Sequence, residues 1–194
     1  MRKYSVRPAL HAEHESVVST IVMAFSGDPA ARWIYPDSGR YLTCFPEFVK
    51  AFAGRAFAAR TAHLVDGVAA AALWLPPDIH PDQERIGEFL ERTIRPEIKD
   101  EAFAVFDAMA QFHPAEPHWY LPMIGVDLPF QGRGFGSALL HHALATCDKD
   151  QVPAYLESSN ATNIPLYRRH GFKLIGTIQH GNSPAIFPML RNPQ

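Results

Sequence analysis

Cysteine is scarce in this 194-residue chain, which has two, Cys44 and Cys147. They are too few and too far apart for a disulfide framework or a zinc ligand set, so both are expected as reduced core thiols. Long apolar runs are missing as well. No window approaches the ~20 apolar residues of a membrane span, and the opening MRKYSVRPAL has basic residues without the apolar stretch of a secretory signal. Excess charge is also absent: 18 Lys and Arg stand against 20 Asp and Glu for a net charge of −2, and the basic residues are scattered rather than gathered into a nucleic-acid footprint. A soluble, cytoplasmic protein with no nucleic-acid and no membrane partner is expected. Repeats, low-complexity tracts and linkers are wanting too, and the length fits one domain over residues 1–194. The ten histidines include the pairs His11 and His14, His113 and His118, and His141 and His142, none with a convincing ligand set. No metal is expected, and the histidines read as surface or supporting groups.

What is present reads in order along the chain. Residues 4–7 suggest a short opening strand, and Val17, Val18, Ile21, Val22 and Phe25 recur at helical spacing over 15–25. Ser26, Gly27, Asp28 and Pro29 make a turn, ARWIYPDSGR reads as an irregular loop, and 41–59 as a second helix. HLVDGVAAAALWLPP holds two apolar runs about Asp66-Gly67, a hairpin signal. Ile86, Phe89, Leu90 and Ile94, then Phe103, Phe106 and Ala110, predict one or two helices broken near Pro96. After the loop HPAEPH, the spacing predicts a strand over 119–126 and a helix over 132–147, whose Gly136, Leu139, Leu140, Ala143, Leu144 and Cys147 share one stripe. A strand over 154–157, a short helix over 164–170 closed by Gly171, and two final strands in 172–178 and 185–190 complete the series.

Between WYLPMIGVDLPF and ALLHHALATC lies QGRGFGS, residues 131–137. A strand, a glycine-rich turn and a helix N-terminus together make an anion site, because the first helical turn has free N–H groups and the positive end of the helix dipole. Gln131 and Arg133 can add side-chain donors, which makes a pyrophosphate the natural guest. On the loop alone, Gly132, Gly134 and Gly136 fit a plain tight turn and a close helix–sheet contact equally well. A Walker A loop is excluded, since no Lys-Ser/Thr follows. A Rossmann-type dinucleotide fingerprint stays open: Gly132-x-Gly134-x-x-Ser137 departs from it at its last place, and Glu157 ends the next strand roughly 20 residues on. Against it, the unit follows an antiparallel pair, and Asp127-Leu-Pro-Phe-Gln separates the strand from the first glycine.

The segment Gln131-Gly-Arg-Gly134-Phe-Gly136 also satisfies the Q/R-x-x-G-x-G/A signature of the GNAT N-acetyltransferases, and it follows the strand residues Ile124-Gly125-Val126. Downstream, Asn160-Ala-Thr-Asn163-Ile-Pro-Leu-Tyr167-Arg-Arg-His-Gly171-Phe172 is similar to that superfamily's second element, an Asn followed by a Tyr and a Gly-Phe. EPHWYLPMIGV, QGRGFGSALL, VPAYLESS and NIPLYRRHGF resemble the puromycin N-acetyltransferase-like branch, with fainter echoes in AFSGDPAARW and AALWLPP. The clear match covers residues 114–172.

The resemblance implies an α/β (α+β) fold, a single GNAT-type domain with a mixed, mostly antiparallel central sheet of about six or seven strands flanked by helices. It implies acetyl-CoA as the cofactor, released as coenzyme A, with its pantetheine arm lying against Ile124, Gly125 and Val126 and an N–H near Ile124 polarising the thioester carbonyl. The main chain of Gln131, Gly132, Arg133, Gly134, Phe135, Gly136 and Ser137 would hold the pyrophosphate, with Asn160, Asn163 and Tyr167 along the arm. The implied reaction is direct attack by an amine of a small-molecule acceptor in a ternary complex. Tyr167 matches the family's proton donor, and a phenol of ordinary pKa near ~10 is protonated at neutral pH; a packing role for its ring stays open. Glu157, Glu116 and His118 are the candidates for the base. Asp28, Trp33, Tyr35 and Trp74 fall where acceptor pockets of the superfamily form, although core packing for Trp74 and loop anchoring for Trp33 fit as well. The resemblance makes a homodimer a fair expectation. Two alternatives stay open, a peptide or protein N-acetyltransferase and a non-catalytic acyl-CoA-binding sensor.

Overall fold

The run Ala70–Leu75 has no polar residue to turn towards solvent, so as a strand it must be covered on both faces. In the computed structural model, which describes residues 4–65 and 67–194, all six of its residues are buried. It is β3 of a seven-stranded sheet ordered β1-β2-β3-β4-β5-β7-β6. The others are β1 (Val6–Pro8), β2 (Ala62–Val65), β4 (Trp119–Val126), β5 (Ala154–Ser158), β6 (Lys173–Leu174) and β7 (Phe187–Arg191). β4 and β5 run parallel, and the remaining neighbours are antiparallel. Side chains alternate across the sheet: Ala71, Leu73 and Leu75 enter one core cluster, Ala70, Ala72 and Trp74 the other.

The first cluster is built with α1 (His14–Ala24), α2 (Pro29–Ile34), α3 (Ser38–Ala53), α4 (Arg55–Ala58), α5 (Gln83–Thr93) and α6 (Lys99–Phe112). The second is built with α7 (Phe135–Asp150) and α8 (Ile164–Arg169). Gly125 of β4 lets α1 sit directly on the sheet, since a Cβ there would stand 2.6 Å from the Ala24 Cβ. Among the described residues no helix is long and apolar enough to cross a membrane.

Several expectations are corrected. The turn-like Asp28-Pro29 is a helix start rather than the entry to a loop: Pro29 opens α2, and Asp28 Oδ1 accepts the N–H of Ala30 and of Ala31, each at 3.0 Å. The second helix starts earlier than expected, capped by Asp37 on the N–H of Arg40, and gives way to α4 at Gly54. The helix after the glycines begins at Phe135, because Gly132 and Gly134 have φ of +72° and +92°. Of the expected strand over 172–178, Lys173–Leu174 pairs with β7, and Ile178 makes an isolated bridge to Ile186. The hairpin of β2 and β3 is present; Asp66 of its turn signal lies outside the described residues, and Gly67 and Val68 both have φ of +63°.

Candidate active site

The site begins where two parallel strands part. β4 and β5 are paired at Trp119 with Ala154 and at Tyr120 with Tyr155, and beyond these the ladder stops although both strands continue. Pro122 sits at the parting and has no N–H to give. On its other side β4 carries a bulge: Leu73 and Leu75 of β3 oppose Met123 and Tyr120, so one β3 residue faces both Leu121 and Pro122. The gap opens into a cavity of about 680 Å³ lined by residues of both strands, among them Ile124, Gly125, Val126, Leu156 and Glu157. That volume lies within the ~300–1,000 Å³ of small-molecule sites.

One end of the cavity is the glycine turn. The first main-chain bond of α7 runs from the Ala138 N–H to the Gly134 carbonyl at 3.0 Å, and no side chain caps the N–H groups before it. Gly132 and Gly134 hold positive φ, which a side chain would strain. Gln131, Gly132, Gly134, Phe135, Gly136 and Ser137 line the cavity. Each of the side-chain donors Gln131 and Arg133 makes one bond to the loop itself: Gln131 Nε2 donates to the Val126 carbonyl at 3.1 Å, and Arg133 donates to the Pro129 carbonyl at 3.0 Å while lying over the Phe130 ring. Arg133 is not among the residues lining the cavity, and the Tyr4 hydroxyl donates to its carbonyl at 2.7 Å. Asn160 and Asn163 line the wall between β5 and α8; Asn160 Oδ1 accepts from the Thr162 N–H at 3.0 Å, which shapes that turn.

Tyr167 of α8 reaches the same cavity and is 5% exposed. Burial, and then the charge of nearby Asp28, push its hydroxyl above the ordinary tyrosine range, so it keeps its proton. Asp28 lines the cavity too, with Ser159 donating to its Oδ2 at 2.5 Å. Burial raises its carboxyl pKa against the opposing pull of the Ser159, Ala31 and Ala30 hydrogen bonds.

The other end is aromatic. Phe45, Phe48 and Phe52 of α3 and Phe106 of α6 line it with Phe25, Trp33 and the ring of Tyr35. The Tyr35 hydroxyl is turned away to Thr93, at 2.8 Å. The sequence reading missed the α3 stripe, whose signal was present: Tyr41, Phe45, Phe48 and Phe52 fall on one helix face, with successive rings 4.8, 5.7 and 5.2 Å apart. Trp74 does not belong to the acceptor end. It is fully buried in the cluster under α7, on the opposite face of the sheet, because alternate β3 residues point opposite ways.

The candidate bases separate in space. Glu157 lines the cavity with its side chain only 2% exposed. Glu116 is exposed and enters only through its carbonyl, which bonds His118 Nδ1 at 2.9 Å. His118 is buried away from the cavity, against His113 and Tyr155. Burial lowers its pKa, outweighing its bond to the Glu116 carbonyl. His113, at the end of α6, joins the two groups: its Nε2 stands 3.1 Å from Glu157 Oε1 and its Nδ1 is 3.3 Å from His118 Nε2. The Glu157 contact is close but poorly aligned, and Oε1 has no directed hydrogen bond. Among the described residues no three His, Cys, Asp or Glu are grouped to hold a metal ion.

The chain as a whole is similar to known proteins. The acetyltransferase (GNAT) family model matches residues 76–172. An uncharacterised N-acetyltransferase of Schizosaccharomyces pombe is 41% identical over 54 residues, which are 28% of this chain and 22% of the yeast protein's length. The solved structure of a Corynebacterium glutamicum protein, described as histone acetyltransferase HPA2 and related acetyltransferase, superposes with a TM-score of 0.70 at 26% identity, over 100% of this chain and 98% of that one. Arylalkylamine N-acetyltransferase 2 from Aedes aegypti shares the fold at a TM-score of 0.69 and 10% identity, with 100% of both chains covered. With half of its length matched by the family model, the chain belongs to the GNAT acetyltransferase family.

Proposed function

We propose that the protein transfers the acetyl group of acetyl-CoA to the amine of a small, largely apolar or aromatic acceptor. One observation carries this reading. A single cavity runs from the uncapped N-terminus of α7, through the gap between β4 and β5, to a phenylalanine-lined end, with Tyr167 and Glu157 both on its wall. The residues suit the donor. The free N–H groups of the first α7 turn and the positive-φ glycines fit a pyrophosphate, and the β4 edge left without a ladder partner beyond Tyr120 fits an extended amide-bearing arm.

Acetyl-CoA, when bound, supplies an activated thioester. The chain's own residues supply position and proton management. Gln131 to Ser137 would hold the pyrophosphate, and Ile124, Gly125, Val126, Asn160 and Asn163 the arm. Tyr167 keeps a proton ready for a departing thiolate. Glu157 takes the proton that an ammonium acceptor must shed before it can attack. The phenylalanine wall excludes water and receives the apolar part of the acceptor, and Asp28 holds a carboxyl nearby.

Titration of acetyl-CoA into the wild type and into Gly134→Asp tests the donor site. Binding by the wild type and its loss in the folded variant are expected. A folded wild type that does not bind acetyl-CoA overturns the reading. An amine panel that includes puromycin, on the segment resemblance, and arylalkylamines, on the fold neighbour's name, then ranks acceptors.

A further inference from the structure

The Glu157 carboxyl is closed off from bulk water, yet each turnover must deliver a proton to solvent. An alkylamine is an ammonium at neutral pH, with a pKa near ~10. Acetylation therefore releases one proton per cycle, and the base that takes it must be emptied before the next. With its side chain 2% exposed, and with the cavity filled by two substrates, Glu157 has no direct route to water.

The hydrogen-bond order behind it provides a route. The Glu116 carbonyl can only accept, so His118 Nδ1 must carry the hydrogen of their 2.9 Å contact. Neutral His118 then presents a lone pair at Nε2, and the 3.3 Å contact to His113 requires the hydrogen on His113 Nδ1. That leaves the lone pair of neutral His113 at Nε2, the atom 3.1 Å from Glu157 Oε1. The tautomer is fixed from the loop inward, and it is the one that can receive a proton from Glu157. Oε1 is also the buried oxygen without a directed hydrogen bond. His113 is held between the rings of Tyr120 and Tyr155, each with its centroid 4.6 Å away, while 26% of its side chain reaches the surface.

We propose that His113, oriented by His118, is the proton exit of Glu157: a positioning residue that empties the base while the cavity is still filled. This rests on Glu157 being the base. The ammonium N–H bond breaks as Oε–H forms; Oε–H breaks as His113 Nε2–H forms, giving an imidazolium; its Nδ1 hydrogen passes to solvent, directly or through His118 Nε2 with His118 releasing a proton to solvent in turn, and proton exchange with solvent returns neutral His113 to the Nδ1–H tautomer before the next cycle. The groups facing the pair are Glu157, Tyr120 and Tyr155 from the sheet and His80 from the loop after β3. The two tyrosines stay protonated, held so by burial first and by the Glu157 charge.

The test compares His113→Ala, His118→Gln and Glu157→Gln with the wild type, each first checked for acetyl-CoA binding and a wild-type melt. In His113→Ala, kcat is expected to fall about 10²-fold with acetyl-CoA affinity unchanged. The ascending limb of kcat against pH should move, and added imidazole should restore the rate. His118→Gln should show a smaller loss with the same displaced limb. A His113→Ala enzyme with wild-type kcat and pH profile overturns the proposal, as does a slow one that imidazole does not rescue. Glu157→Gln separates the two layers: at the wild-type rate it removes the base reading itself, and slow beside a fast His113→Ala it removes the relay alone.

Discussion

Replacing Tyr167 by Phe removes one oxygen and nothing else that the fold uses. The ring is buried, edge-on to Phe172 with centroids 6.1 Å apart, and that contact survives the change. Its hydroxyl is shifted by burial and by the charge of Asp28, with no hydrogen bond contributing. Deletion therefore strands no partner, and stability should change by less than about 1 kcal/mol. If the hydroxyl is the proton donor, kcat should fall about 10²–10⁴-fold, or roughly 2.7–5.4 kcal/mol of barrier. Tyr41→Phe is the internal control. Its hydroxyl donates to the Val22 carbonyl at 2.6 Å, so that variant should lose about 1–3 kcal/mol of stability and keep its kcat. Steady-state acetylation of the best panel amine, beside thermal melts of both variants, gives the comparison. Because the Tyr167 pKa lies above the ordinary ~10, the wild type should also hold its rate through pH 10. A Tyr167→Phe enzyme within about threefold of wild type, where an acid contributes at least ~10², would refute the donor role. Intact acetyl-CoA binding with no turnover in the wild type itself would favour the acyl-CoA sensor.

Three further outcomes follow from the packing and the charges. Gly125→Ala puts a Cβ 2.6 Å from that of Ala24 and 3.3 Å from Ile21 Cδ1, so overpacking of about 1–3 kcal/mol should lower Tm by a few degrees; an unchanged Tm would mean that α1 does not rest on β4 there. Arg191→Met removes two bonds to Asp148, at 2.7 and 2.8 Å, and one to the His170 carbonyl at 2.9 Å, from a guanidinium 4% exposed; a loss of about 3 kcal/mol is expected from breaking such a pair. Asp148 is held below the ordinary carboxylate range by Arg191, so this stabilisation is present above its unfolded pKa and disappears as pH falls through the folded one; the melt difference from wild type should narrow below pH ~4 and is contradicted if it stays constant. Asp28→Asn keeps a competent helix cap and removes a carboxylate whose folded pKa is raised; that group stabilises below its unfolded pKa and loses this as pH rises through the folded value, so the variant should gain on the wild type as pH rises above the ordinary aspartate value of ~4, and a relative loss there would contradict the burial argument.

How much of this was legible in the sequence depends on the distance over which each feature is decided. QGRGFGS and the short helix bearing Tyr167 are local, set by glycines, a helix start and a Gly171 stop, and they stand where the spacing placed them apart from the start of α7, which the positive φ of Gly132 and Gly134 delays to Phe135. Which way a side chain faces on β3 was not legible. A strand buried on both faces has no polar alternation to mark its parity, so the sequence leaves Trp74 open between acceptor pocket and core, and the fold packs it under α7. The meeting of Glu157 with His113 was out of reach for another reason. It requires the end of α6 to lie over β5, and no local pattern in HPAEPH encodes that.

The β4 bulge shows how a small feature decides the chemistry. Period-two counting puts Leu121 with Met123 and Tyr120 with Ile124. In the fold, Leu121 joins Ile124 and Val126 on the α7 face, while Tyr120 and Met123 face the other cluster. The extra residue at Leu121-Pro122 reverses the strand's parity at the point where the ladder to β5 ends. Before that point, Tyr120 and Tyr155 flank His113 on the same face as Glu157. After it, Ile124 and Val126 line the approach to the glycine turn. On the proposed reading, one strand would serve the proton exit with its first half and the acetyl donor with its second. A substitution that straightened β4 at Pro122 would disturb both functions together, whereas His113→Ala and Gly134→Asp should each disturb one.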